Sequence, residues 1–492
     1  MTVPAGGGER RTRATPALAR ETCYGPTVRR ISALLIATAT ALGCGSAASP
    51  PAPDPARELA GAYPEHATGG GALRTFELTA AEAEVPLIDG APLKVWAYNG
   101  QVPGPTLRVR LGDTVRVRFT NRLPQETTIH WHGVRVPNAM DGVPHATQPP
   151  IQPGASFTYE FTPKDAGTFW FHPHVRSSEQ VERGLYGLLI VEDRAPPPYT
   201  RDVTWILDDW LLGPDRQLEP GFNTPHDLMH DGRWGNAITV NGRTDTVLPI
   251  AAGERIRLRL LNASNGRIYV PDLVGLDAQI IAVDGLYARA PQPLGRFELA
   301  PGNRLDLDVT AQGGGRSLVV MDRFTPQRPN RLAEIEVDGT AATPAFPSPA
   351  KAHVPAWRGA LALPLTHEYR LDARQGGPLG IEWTLNDQAF SGHEHAHPSL
   401  ELVRGKWARL RFANASARLH PIHLHGMFFK VIARDGAAVD EPFFRDTVLI
   451  HGRETIDIGL VPLDAGDWML HCHILEHAEA GMMTMLAVRD PQ

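Results

Sequence analysis

One unit is written three times in this chain. Asn99-Gly100 is followed by Pro105 and TLRVRLGDTVRVRFTNRL, Asn241-Gly242 by Val247 and LPIAAGERIRLRLLNAS, and Asn386-Asp387 by Pro398 and SLELVRGKWARLRFANAS. Each copy opens on turn-forming residues, and Gly112, Gly253 or Gly405 divides two runs in which apolar and charged residues alternate. A period of two, as in Leu107, Val109, Leu111 and again in Val115, Val117, Phe119, marks half-buried strands. The three glycines stand 141 and 152 residues apart, the span of one β-sandwich. An all-β chain of three consecutive sandwiches is therefore expected, over 70–195, 200–345 and 350–492, without long amphipathic helices. The 47 glycines and 44 prolines suit many short strands joined by turns.

The residues before the first unit read as a leader. Arg10, Arg11, Arg13, Arg20, Arg29 and Arg30 precede an apolar run from Ile31 to Leu42, too short to span a membrane. Residues 1–44 are expected to be a secretory signal. Ala41-Leu42-Gly43-Cys44 resembles a bacterial lipobox, which would place a lipid on Cys44, and Arg29-Arg30 could serve twin-arginine export. Residues 45–69 form a Pro/Ala-rich tether, read as extended and semi-rigid from Ser46 to Arg57. The expected location is the periplasm or the extracellular side, with membrane contact only through that lipid. Residues 1–43 carry six arginines and two glutamates, so without them the net charge of −6 falls to about −10. Such a surface gives nucleic acid no electrostatic support.

A second repeat links only the outer units. Asp165-AGTFWF-His172-Pro173-His174 aligns with Asp464-AGDWML-His471-Cys472-His473, and His130-Trp131-His132-Gly133 with His423-Leu424-His425-Gly426. The middle unit has neither pair and is read as a spacer. On a strand, residues i and i+2 project from one face, so each His-x-His pair offers two imidazoles to one volume. Eight converging imidazoles could hold about three metal ions, and ligand type alone leaves Cu, Zn, Fe and Ni open. Cys472 points to the opposite face from His471 and His473. With His477 and the distant His420 it makes a His₂Cys set, to which Met482 adds a weak axial thioether. That is the donor set of a blue-copper electron-transfer site.

With HWHG, HPH, HPIHLHG and HCHILEHAEAGM in order, the chain resembles the bacterial three-domain multicopper oxidases of the laccase-like group. The resemblance implies three consecutive cupredoxin-like Greek-key β-sandwich domains and four copper ions. It implies a type 1 copper on His420, Cys472, His477 and Met482, and a type 2 copper on His130 and His423. It implies a type 3 pair on His132, His172, His174, His425, His471 and His473. The implied reaction takes single electrons from a small-molecule donor, a phenol or aromatic amine, and reduces O₂ to two waters. A monomer is expected. Asp141 is implied as the carboxylate that orients water and passes protons, although Asp-Gly also starts turns. A second carboxylate of the family is replaced by Ala478; Glu476 could stand in, or could face solvent from a short helical turn.

Relatives specialised for cuprous ions carry a methionine-rich insert, whereas only Met482, Met483 and Met485 cluster here, and Met483 and Met485 read as packing. His393, His395 and His397 could load copper or lie in a solvated loop; His226 and His230, flanking Asp227, invite the same reading more weakly. Trp131 reads as core. The alternatives to the oxidase of organic donors are a Cu(I) or Mn(II) oxidase and a non-catalytic copper-binding envelope protein. The full ligand set argues against the non-catalytic protein, and the His-x-His pairs argue against a nitrite reductase.

Overall fold

A computed structural model describes residues 54–59, 69–340, 352–391 and 398–492. The leader, most of the tether and the 393–397 histidines lie outside the described residues. Strands dominate, and every helix among the described residues has six residues or fewer. Six sheets form three sandwiches, of four and four, six and four, and six and five strands.

The same topology recurs in each. Leu73–Pro86 runs parallel to Thr114–Asn121, and Leu107–Arg110 parallel to Gly187–Glu192. In the second sandwich the corresponding parallel pairs are Arg201–Trp210 with Arg255–Asn262 and Val247–Ala252 with Asn330–Thr340. In the third they are His367–Gln375 with Ala408–Asn414 and Leu400–Val403 with Met483–Arg489. The glycine between the two repeat strands is where the chain changes sheet: Leu107–Arg110 lies in one layer and Thr114–Asn121 in the other. Gly112, Gly253 and Gly405 all take positive φ (100°, 82° and 76°), which lets the chain turn this corner without a Cβ clash.

The opening turns are equally constrained. Asn99-Gly100, Asn241-Gly242 and Asn386-Asp387 have positive φ at both positions, as a type I′ turn requires. Each asparagine side chain also bonds the backbone of a neighbouring strand: Asn99 accepts from Thr79 N–H, Asn241 from Ile206 N–H and Asn386 from Arg370 N–H.

Alternation delivers the cores. Leu107 and Val109 are buried while Arg108 and Arg110 face solvent. Trp131 packs against Tyr159, Phe161 and Phe171 in the first core. That core continues into Ala282 and Leu286 of the second sandwich and Phe428 and Phe444 of the third. The repeat-equivalent Asp165 and Asp464 converge on one buried guanidinium. Arg135 donates to Asp165 at 2.7 and 2.8 Å, and its Nη1 lies 3.5 Å from Asp464.

The end of the tether differs from the extended chain expected. Asp54 caps a helical turn, Pro55–Glu58, with its side chain accepting from Arg57 N–H. Proline at the first helical position is pre-organised for this conformation. Leu59 is buried in the first core, and Trp357 donates to Pro55 O at 3.2 Å.

Candidate metal centre

Strand pairing brings the histidine pairs together. His130–His132 pairs antiparallel with Gly167–His172, setting His130 opposite His172. His420–Leu424 pairs antiparallel with Gly466–Cys472, setting His423 opposite His471 and Ile422 opposite Cys472. The first and third sandwiches place these faces against each other. Ligating atoms within 4.8 Å of one another define the groups His130/His132/His423, His132/His172/His473, His174/His425/His471 and His420/Cys472/His477, all buried. A further group joins His130 and His425 to Asp141.

In four of the rings one nitrogen is committed to a backbone carbonyl. His130, His172, His423 and His471 turn Nδ1 to the carbonyls of Asp141, Pro173, Asp446 and Cys472, at 2.8, 2.9, 2.9 and 2.8 Å. This fixes the tautomer and leaves Nε2 with a lone pair. The Nε2 atoms of His130, His172 and His423 have no hydrogen-bond partner. His471 Nε2 faces His425 Nε2 at 3.2 Å and His174 Nε2 at 3.4 Å. Lone pairs at this separation repel unless a cation lies between them, so the donors fit metal ions and little else. Burial, reinforced by neighbouring imidazoles, holds His132, His172, His174, His425, His471 and His473 well below the ordinary histidine range, in the neutral ligating form.

The sulfur site is drier. Cys472 Sγ lies 3.6 Å from His420 Nδ1 and 3.8 Å from His477 Nδ1, and those nitrogens are 3.2 Å apart. The other ring nitrogens bond Ser416 Oγ at 3.0 Å and the His230 carbonyl at 2.6 Å. Burial pushes the Cys472 thiol up and His477 down to about 3. A thiolate there needs a cation beside it. Met482 is fully buried in the same apolar cluster, its N–H donating to His477 O and its carbonyl accepting from Cys472 N–H. Trp383 packs 4.2 Å from the His477 ring. Met485 is buried beside Met469 and Val143, with Met483 against them.

Asp141 is fully buried, its Oδ2 accepting from His425 Nδ1 at 2.8 Å while Oδ1 has no hydrogen-bond partner. Gly142 beside it takes φ +80°, and a Cβ there would lie 1.9 Å from Ile129 O, so Asp141 does stand at an Asp-Gly turn. Glu476 does not face solvent. It is 1% exposed, accepts from Asn265 Nδ2 at 2.7 Å, and burial raises it to about 7.

The spacer reading of the middle unit needs correcting. It supplies no member of the ligand groups among the described residues, yet it braces both centres. Arg304 donates to the Asp446 carboxylate at 2.9 and 2.5 Å, and Asp446 Oδ1 lies 3.2 Å from His132 Nε2. Burial would raise Asp446, but the charge of Arg304 and the bonds from His423 and Arg304 hold it at about 2. Thr447 Oγ1 touches His423 Nδ1 at 3.1 Å, and Asn303 Nδ2 donates to Thr447 O at 3.0 Å. At Gly302 a Cβ would lie 2.8 Å from His473 and 3.0 Å from His132. Asp446, Arg304 and Gly302 lie outside the repeated motifs; an arginine opening the strand Arg304–Ala311 and an aspartate just before Thr447–Ile450 were the available signal.

A cavity of about 620 Å³ reaches His172, His174 and His471 from the surface, between Arg176, Glu479, His145 and Phe390. No helix among the described residues is long and apolar enough to cross a membrane.

Comparison with known proteins bears on these centres. Three family models, each described as multicopper oxidase, match residues 79–196, 201–343 and 362–492. The chain is 31% identical over 469 residues to multicopper oxidase MmcO of Mycobacterium tuberculosis, covering 84% of this chain and 86% of that protein. It is 25% identical to laccase-1 of Cryptococcus neoformans var. grubii, covering 84% and 80%. Among solved structures, a multi-copper oxidase from Pseudomonas thermotolerans superposes with a TM-score of 0.77 at 36% identity, covering 85% of this chain and 99% of that one.

Proposed function

The chain belongs to the multicopper oxidase family, and from that premise we propose which residues hold each copper and which donors the enzyme serves. It is a laccase-like oxidase that uses four coppers, a small-molecule reductant and O₂. His420, Cys472, His477 and Met482 would hold type 1; His130 and His423 type 2; His132, His172 and His473 one type 3 ion, and His174, His425 and His471 the other. Copper held by these residues would supply one-electron redox chemistry at the sulfur site and the four-electron reduction of O₂, with four protons, to two waters at the imidazole site.

The chain's own residues make that possible in three ways. Cys472 and its neighbours His471 and His473 join the two centres by covalent bonds, a short through-bond route. Asp141, bonded to His425 and carrying one free oxygen atom beside His130, is the group placed to hand protons to reduced oxygen. The cavity that ends at His174 and His471 would admit O₂ and release water.

The observation that carries this reading is the single buried His₂Cys group joined through one backbone to the imidazole groups. Phenols and aromatic amines are the proposed organic donors. Export is proposed from the basic and apolar leader, and the lone cysteine among the described residues, Cys472, can form no disulfide with another of them. Copper loading should produce an intense blue band with a near-ultraviolet shoulder, together with phenol-dependent oxygen uptake. A copper-loaded protein that stays colourless would end the proposal.

A further inference from the structure

We propose that the cleft between the middle and third sandwiches, ringed by Arg296, Arg434, Arg445 and His451, binds a compact, multiply charged oxyanion of the phosphate or dicarboxylate class. The bound anion fastens to the middle sandwich a strand against which ligands of both centres are paired. None of the four residues belongs to the candidate ligand groups, so the inference goes beyond the oxidase reading.

The cleft encloses about 300 Å³, and Glu298 and Glu454 complete its charged lining. Four cations against two carboxylates leave that lining at +2 while His451 is protonated, in a chain whose formal charge is −6. Counting Glu441, which pairs with Arg445 and does not line the cleft, still leaves one positive charge. A concave surface with low-dielectric walls concentrates the field of such a set. The two signs are also sorted by depth. Glu298 and Glu454 are 23% and 11% exposed, whereas Arg296, Arg434 and His451 keep 49%, 30% and 46% of their side-chain surface. The carboxylates are the deeper groups, and the cations are what an arriving ligand meets.

The deeper acids set the cations in position. His451 lies between Glu298 at 2.9 Å and Glu454 at 3.2 Å, and Arg434 Nη1 donates to Glu454 at 2.7 Å. Arg296 Nη1 donates to the Arg323 carbonyl at 3.0 Å, and Arg445 Nε donates to Glu441 at 2.6 Å. Side chains held in this way lose little freedom on meeting a ligand, and the planar guanidinium fork matches the oxygens of an oxyanion. Arg296 belongs to the middle sandwich and the other three cations to the third. Bridging them takes several acceptor oxygens on one ligand, which a halide lacks.

The cleft also touches the frame of the metal centre. Leu449, in the strand Thr447–Ile450, is part of its lining. That strand pairs antiparallel with His420–Leu424, setting Ile450 opposite His420 and Thr447 opposite His423. Arg445 and His451 flank the strand at its two ends, so an anion that joins them to Arg296 ties the strand down. The consequence is slower loss of copper, with no part in electron transfer. Binding follows the charge on His451, which its bonds to Glu298 and Glu454 raise to about 9. Arg296, Arg434 and Arg445 keep their charge, so affinity for a doubly charged anion should weaken as pH rises through about 9.

Calorimetric titration of the copper-loaded full chain with inorganic phosphate, at constant ionic strength, should show one saturable site. Arg434→Gln/His451→Gln should weaken it at least tenfold while the blue band persists. Arg296→Gln, on the opposite wall and clear of Glu454, should weaken it in the same sense. Arg434→Lys, which keeps the charge and loses the fork, should fall between wild type and the double variant. A parallel titration with succinate separates the sources: tighter phosphate assigns a phosphate ligand, and tighter succinate a dicarboxylate. Filling the site should slow copper release to a chelator several-fold in the wild type and leave the double variant unaffected. Equal phosphate binding by the wild type and the variants would place the anion elsewhere, the copper centres included, and refute the cleft. Absence of saturable binding of either anion would refute it as well.

Discussion

Arg304 of the middle sandwich grips Asp446 of the third with two hydrogen bonds, 2.9 and 2.5 Å long, and both side chains are essentially excluded from water. Asp446 in turn touches His132 from the first sandwich and His423 from the third. One ion pair thus ties all three domains to the imidazole centre. The middle domain contributes no member of the candidate ligand groups among the described residues, and still helps decide where those side chains point.

Removing the guanidinium should be costly. Arg304→Met leaves a buried carboxylate without its partner, a loss of about 3–5 kcal/mol. Support of this kind under a ligand typically contributes about 10–100-fold in metal affinity. Copper counting and thermal unfolding of the variant should show both effects. Full copper occupancy would mean that Arg304 does not position the ligands.

Gly302→Ala tests the same region by addition. The new methyl would meet His473 and His132 at 2.8 and 3.0 Å, and the backbone has φ +84°. The left-handed conformation alone costs about 1–2 kcal/mol for a residue with a Cβ. The expected outcome is depletion of the His132/His172/His473 ion with the blue band kept, read by absorbance and metal analysis. Loss of the near-ultraviolet shoulder is the signature to look for.

Cys472→Ser keeps the volume and removes the thiolate. The blue band and turnover should both vanish while the imidazole centre still binds copper. Any retained phenol oxidation would mean that electrons bypass the Cys472 route.

Asp141→Asn preserves an acceptor for His425 and removes the proton. Turnover should fall by about 10²-fold or more, the usual contribution of a positioned acid. Copper content should stay near wild type. If copper is lost instead, the carboxylate serves mainly to orient His425.

A pH dependence comes from a latch between the middle and third sandwiches. His451 Nε2 lies 2.9 Å from Glu298 of the middle sandwich, and its Nδ1 lies 3.2 Å from Glu454. Donating to these two carboxylates raises His451 to about 9, and Glu454, although burial would raise it, is held at about 2 by His451 and Arg434. The raised histidine gives stability that is fully present below its ordinary value of 6.5 and is lost as pH rises through about 9. The lowered glutamate gives stability present above 4.5 and lost as pH falls through about 2. The latch is therefore complete from about pH 4.5 to 6.5. Being half exposed, it contributes about 1 kcal/mol or less. His451→Gln should lower the melting temperature slightly at pH 6 and leave it unchanged near pH 10. An equal loss at both pH values would mean that packing, and not charge, is what the histidine supplies.

Much of the architecture could be read from the chain alone, for a physical reason. Strand periodicity is local, so Leu107/Val109 and Val115/Val117 declare their buried faces. The same period of two places His471 and His473 on one side of a strand and Cys472 on the other. Repetition of Asn99-Gly100 and Gly112 in two later copies announces the turns and sheet corners, because only residues tolerant of positive φ can occupy them. That His420, Cys472 and His477 gather in one buried group, and the paired histidines in others, was expected from the chain and is what the fold shows.

What the tertiary structure alone decided lies between segments far apart in the chain. Nothing local in Arg304 points to Asp446, which lies in another domain. Glu476 could have faced water until Asn265 and the surrounding packing enclosed it. His230 met His477 only because a loop of the middle sandwich docks on the third. Side-chain direction along a strand follows from its own residues; desolvation and hydrogen-bond partners depend on which other segments pack against it, and these the folded chain determines.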